Sequence, residues 1–220
     1  MKLIRLAVVA GLLAAPLGAS AAAGPTWKML EVPGIEPTQF RVDADVIAID
    51  SRMGASFLYR DLTPAERRAT VLRWRWRVDM DMPAADLRRP GADDRELAVH
   101  VWFPETAAAG DLFERLRNTV VSVLGFPVTG RTLSYVWGGR GARGEGFPNP
   151  HNAPDGHMII LRPGGTPTGR WMDETIDIAA DYRRVFGTEP PPAGYVAVSS
   201  DSDDLGGVCV GRIAGLRFGA

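Results

Sequence analysis

Apolar and polar residues alternate along most of this chain, and a period of two is the pattern of half-buried β-strands. The stretches that carry it are Trp27–Val32, Phe40–Val42, Val46–Ser51, Ala55–Asp61, Val71–Met80, Glu96–Phe103, Thr132–Trp137, His157–Arg162, Trp171–Ile178, Tyr195–Ser200 and Val208–Phe218. Turn formers separate them, among them Pro83, Pro90-Gly91, Pro148-Asn149-Pro150, Pro163-Gly164-Gly165 and Pro190-Pro191-Pro192. Two short helices interrupt the series. Asp111 with Glu114 forms a capping box ahead of Leu112, Leu116, Val120 and Leu124, and Ala179–Phe186 is a second helical stretch. Many strands, few helices and no regular strand-helix alternation predict a mainly β protein, an antiparallel β-sandwich of jelly-roll type.

The N-terminus carries a different pattern. Lys2 and Arg5 precede an apolar run from Leu6 to Leu17, and the small residues Gly18 to Ala23 follow, with cleavage frames at Ala19-Ser20-Ala21 and Ala21-Ala22-Ala23. That order predicts a signal peptide over residues 1–23, removed on export, and a single β-sandwich domain over residues 24–220 in the periplasm or secreted. The run is shorter than the roughly 20 apolar residues of a spanning helix, so no membrane span is expected after cleavage. Composition agrees: the 220 residues are 45% apolar and 23% charged, as in ordinary globular proteins. With 25 basic against 26 acidic residues the chain lacks the positive excess of a dedicated nucleic-acid binder. The single cysteine, Cys209, rules out an intramolecular disulfide and any thiolate-rich metal site.

The segment Val71-Leu72-Arg73-Trp74-Arg75-Trp76-Arg77-Val78 is the most informative. Alternation places Leu72, Trp74, Trp76 and Val78 on one face of a strand and Arg73, Arg75 and Arg77 on the other. Like charges in a row need water, carboxylates or an anionic ligand opposite them. The row is therefore either a solvated outer face or the concave, ligand-binding face of a jelly roll. In Glu96–Phe103 the residues Leu97, Val99, Val101 and Phe103 form the apolar set, leaving Glu96, His100 and Trp102 opposite. With Tyr135 and Trp137 these would assemble guanidinium groups, an imidazole and flat rings, a mixture suited to acidic sugars. A single histidine among apolar neighbours also reads as a hydrogen-bonded structural residue.

Other motifs are weaker. Gly139-Arg140-Gly141-Ala142-Arg143-Gly144 spells a dinucleotide glycine pattern, but Pro148-Asn149-Pro150 follows where a helix would have to start. His100, His151 and His157 show no metal-ligand spacing. Asp201-Ser202-Asp203-Asp204 before Gly206-Gly207 offers hard oxygen ligands, so calcium at Asp201, Asp203 and Asp204 competes with the simpler Asx-turn whose carboxylates bond backbone amides. No other cofactor is indicated.

Several blocks occur in one order: Leu72-Arg73-Trp74-Arg75-Trp76-Arg77-Val78, Ser134-Tyr135-Val136-Trp137, Asn149-Pro150, Met158-Ile159-Ile160-Leu161-Arg162, Trp171 with Glu174, Asp181-Tyr182-Arg183-Arg184-Val185-Phe186-Gly187 and Asp201-Ser202-Asp203. That order resembles the bacterial exported family known as domain of unknown function 3047. The resemblance runs from about Phe40 to Phe218 and implies a β-sandwich of the cell envelope, without naming an activity. The function expected from the residues is binding of a carbohydrate or other anionic envelope polymer. The alternative is a periplasmic polysaccharide lyase, with Arg75, His100 and Tyr135 as cation, base and acid, or a glycoside hydrolase in which two carboxylates such as Glu96 and Asp201 face one cleft.

Overall fold

The structure, a computed structural model, describes residues 26–104 and 130–219. The proposed signal peptide and the helix expected after Asp111 lie outside the described residues. Twelve strands run in the order β1 (Lys28–Glu31), β2 (Gln39–Asp43), β3 (Val46–Arg52), β4 (Ala55–Asp61), β5 (Val71–Met80), β6 (Arg95–Pro104), β7 (Gly130–Trp137), β8 (Gly146–Pro148), β9 (Gly156–Arg162), β10 (Met172–Asp177), β11 (Tyr195–Asp201) and β12 (Val208–Gly219). Among the described residues one α-helix, α1 (Ile178–Phe186), follows β10, and one 3₁₀ turn spans Glu66–Arg68. The strands form a seven-stranded sheet in the order β1-β4-β11-β6-β7-β9-β8 and a five-stranded sheet in the order β10-β5-β12-β3-β2.

The alternation in β5 is realised: Leu72, Trp74, Trp76 and Val78 are buried, while the arginines between them face outward. Their apolar face meets Leu97, Val99, Val101 and Phe103 of β6 and Leu133, Tyr135 and Trp137 of β7 in one core between the two sheets. Aromatic edges organise its centre, with Trp74 and Trp76 at 5.3 Å, Trp76 and Trp137 at 5.6 Å and Trp74 and Tyr135 at 5.8 Å between ring centroids. Helix α1 is capped at both ends. Asp177 accepts the Ala180 N–H at 2.8 Å, and Gly187 takes the left-handed conformation at φ 71°, donating to the Arg183 carbonyl.

Three features differ from the antiparallel expectation. Strands β7 and β9 pair in parallel, so the larger sheet is mixed. Strand β8, only three residues long and containing Gly146 and Pro148, carries too little pattern to be read as a strand. Strand β6 is buried on both faces rather than one. The segment leading into it explains the last point in part, since Ala85 and Leu87 pack over Ala98, Val136, Met158 and Ile160 in a second apolar cluster on the far side of the seven-stranded sheet.

Candidate functional site

Residues paired directly across a ladder share a face. Arg77 of β5 faces Arg212 of β12, Arg212 faces Ala48 of β3, and Ala48 faces Arg41 of β2. Arg73 lies opposite Arg217, and Arg75 lies opposite Asp173 of β10. The outer surface of the five-stranded sheet therefore gathers Arg41, Arg73, Arg75, Arg77, Arg212 and Arg217, with Asp43, Asp50, Asp79 and Asp173 among them. Asp79 pairs with both Arg77 and Arg212. Arg41, Arg73, Arg75 and Arg217 make no ion pair among the described residues. The exposed Arg75 guanidinium lies over the half-buried indole of Trp171, 4.8 Å from the ring centroid, which sets a cation beside an aromatic platform.

The other predicted binding residues do not join this face. His100 and Trp102 project from the far side of the seven-stranded sheet and are buried. The two ring nitrogens of His100 bond Ser134 Oγ at 2.8 Å and Ser199 Oγ at 2.9 Å, and burial pushes its pKa down to about 3. This is the hydrogen-bonded structural histidine, neutral across the physiological range. Tyr135 and Trp137 point inward, into the core between the sheets, not toward Arg75. Burial and the neighbouring Asp181, which accepts the phenol proton at 3.2 Å, raise the Tyr135 pKa. The lyase set is thus dispersed: Arg75 lies outside one sheet, Tyr135 between the sheets and His100 beyond the other.

The hydrolase pair is dispersed as well. Arg95 and Glu96 are consecutive on β6 and leave opposite faces of the strand. Asp201 follows Arg95, which it meets at 2.8 Å. Glu96 turns the other way, accepts the Met82 N–H and fills the space beside Gly138, where a Cβ would lie 2.0 Å from its Oε2. Burial raises its pKa to about 7, with Asp81 and Asp94 adding repulsion.

The aspartate turn is more intricately bonded than a bare cation site. Asp94, Asp201 and Asp203 bring one carboxylate oxygen each within 4.8 Å of one another. Both oxygens of Asp94, however, already accept N–H groups, from Asp204 and Leu205 at 3.0 Å each. Asp204 instead points to the Asp93 N–H at 3.4 Å, away from that trio. Arg95 sits between Asp201 and Asp93, and His151 closes the network on Asp93 Oδ2 at 2.9 Å. Burial favours a protonated Asp93, but His151 and Arg95 outweigh it and hold its pKa below the usual range. Burial, reinforced by Asp203, drives Asp201 the other way.

One polar centre escaped the sequence reading. Glu174 of β10 is buried and accepts Arg162 Nε at 2.6 Å, Arg143 at 2.9 Å and Trp76 Nε1 at 3.1 Å. It ties the edge of the five-stranded sheet to β9 and to the loop before β8. The glycine pattern that contains Arg143 is thus a loop that delivers a guanidinium to Glu174.

Fold and site together define a mainly β, two-sheet protein that presents an arginine-rich outer face with one aromatic platform. The chain belongs to the family described as "Protein of unknown function (DUF3047)", which matches residues 25–216. No curated protein matches it in sequence. Among solved structures, it is similar to the xyloglucanase domain of NopAA, a type three effector from Sinorhizobium fredii. That likeness covers 84% of this chain and 88% of the other at 9% identity, with a TM-score of 0.45. It is also similar to the family 11 xylanase from Neocallimastix patriciarum, over 87% of this chain and 98% of the other at 9% identity, with a TM-score of 0.38. No helix among the described residues is long and apolar enough to cross a membrane.

Proposed function

We propose that this chain is an exported jelly-roll β-sandwich that binds an acidic glycan or comparable anionic polymer of the cell envelope through the outer face of its five-stranded sheet. The observation that carries the reading is the row Arg73, Arg75 and Arg77 beside Arg212 and Arg217, in which Asp79, among the described residues, is the one acid within ion-pair distance of any of them. Side chains two apart on a strand stand about 6 to 7 Å from each other, so the row presents evenly spaced cations along one line. Guanidinium groups pair bidentately with carboxylates and sulfates, and Trp171 offers a flat surface to the apolar face of a sugar ring. The signal-like N-terminus supplies the compartment in which such a polymer is met.

Affinity electrophoresis through polygalacturonate, with neutral dextran as control, tests this reading. Retardation by the acidic polymer alone is expected, and Arg75→Ala together with Arg73→Ala should abolish it while leaving the melting temperature within about 2 °C of wild type. Equal migration in both gels, or retention that survives both substitutions, would overturn it.

A further inference from the structure

A separate cleft of about 310 Å³ opens where the chain enters β5 and α1 begins. Its floor is apolar and buried, formed by Phe103, Ile178 and Ala193. One wall is the run Pro190-Pro191-Pro192. Three guanidinium-bearing side chains, Arg67, Arg68 and Arg183, stand at its exposed rim, with Glu189 the one carboxylate in the lining. Arg67 is partly committed, donating from Nε to the Leu62 carbonyl at 3.0 Å. Arg183 and Glu189 form an ion pair at 3.1 Å whose side chains are 46% and 78% exposed. An exposed pair of this kind is weak, so another carboxylate can take the place of Glu189 on Arg183. The helix terminus is not the attraction, because Asp177 already caps it.

We propose that this cleft binds a small organic carboxylate: the acid group on Arg68 and Arg183, and a compact ring or aliphatic body on the proline wall and apolar floor. The volume sits at the lower end of ligand sites, which suits a single ring rather than a polymer, and an apolar bed with a few convergent polar groups is the usual make-up of such sites. Rim arginines supply orientation through bidentate pairing, and the prolines supply a rigid surface that loses little freedom when the ligand packs. The site shares no residue with the arginine face and does not depend on that face binding anything.

Titration of the full mature chain with benzoate and with glucuronate, followed by calorimetry or amide NMR, tests it, with benzamide and glucose as the neutral counterparts. Saturable binding of at least one acid, at least tenfold tighter than its neutral counterpart, is expected; which acid binds tells whether the body is aromatic or a sugar. Arg183→Glu and Arg68→Gln should each weaken that binding several-fold or more, and Glu189→Gln should strengthen it by freeing Arg183. Arg75→Ala should leave it unchanged. Absence of saturable binding by either acid, equal binding of the neutral compounds, indifference to the rim substitutions, or loss on Arg75→Ala would each overturn the proposal. Polymer retention depends on Arg73 and Arg75 and carboxylate binding on Arg68 and Arg183, so either idea can fail without the other.

Discussion

Replacing Glu174 with glutamine removes one negative charge from a place where three donors converge. The carboxylate side chain is 1% exposed, against 22% for Arg162 and 52% for Arg143. Breaking a fully buried ion pair costs about 3 to 5 kcal/mol, because the surviving charge stays without compensation. That upper range does not apply in full. Arg143 is half in water and its share counts as that of an exposed pair, at most about 1 kcal/mol. Glutamine also keeps one carbonyl oxygen for Arg162 or Trp76 Nε1, although its amide group then faces the remaining guanidinium. We therefore expect Glu174→Gln to cost about 2 to 3 kcal/mol, which lowers the melting temperature by roughly 5 to 10 °C for a chain of this size.

Near-ultraviolet circular dichroism during thermal and urea unfolding reads that loss. Arg143→Met should cost under about 1 kcal/mol and Arg162→Met clearly more, and a double-mutant cycle between Glu174→Gln and Arg162→Met should show coupling of at least about 1 kcal/mol. A Glu174→Gln melt within 1 °C of wild type, or equal costs for the two arginines, would refute the view that Glu174 clasps the sheet edges through Arg162.

Trp76→Ala should cost on the order of 3 to 5 kcal/mol in chemical denaturation, since a fully buried ring that touches Trp74 and Trp137 leaves a cavity. Glu96 has a folded pKa of about 7 against an ordinary 4.5, so the stability it contributes as a neutral acid is complete below pH 4.5 and is lost as pH rises through 7. Glu96→Gln should therefore match wild type near pH 4 and exceed it near pH 9 by on the order of 2 to 3 kcal/mol in urea unfolding. Chelator should leave the melting temperature unchanged, because Asp94 is spent on backbone N–H groups and Asp201 is already bonded to Arg95; a fall reversed by added calcium would show a cation at Asp94, Asp201 and Asp203 instead.

Strands were legible wherever one face is wet. In β5 the alternation of tryptophan and arginine states both the element and its orientation, and the boundaries Val71–Met80 agree with the structure. In β6 the same reasoning identified the core set Leu97, Val99, Val101 and Phe103 but misjudged the opposite face. Glu96, His100 and Trp102 look like a polar surface in one dimension. All three are buried, the two polar ones because His100 finds Ser134 and Ser199, and Glu96 finds the Met82 N–H, on other elements. A polar side chain satisfied across strands carries no mark of its burial in its own segment. Helix α1 was legible for the opposite reason, since its cap at Asp177 and its stop at Gly187 are local.

The arginine face shows the same divide and leads to a measurable consequence. Alternation alone placed Arg73, Arg75 and Arg77 together, but nothing in one strand says that Arg212, Arg217 and Trp171 come to lie beside them. Those neighbours are set by the registers of β12 and β10, which local sequence does not encode. The assembled face is open sheet surface, so its charges act through water and salt. Screening shortens from about 10 Å at 0.1 M salt to about 3 Å at 1 M, less than the step between neighbouring arginines. Retention on polygalacturonate should therefore fall steeply between 0.05 and 0.5 M sodium chloride, while the melting temperature of the unliganded protein, held by its aromatic core, changes little. Retention insensitive to salt would mean that stacking on Trp171 dominates, and Trp171→Ala would then abolish binding where Arg75→Ala does not.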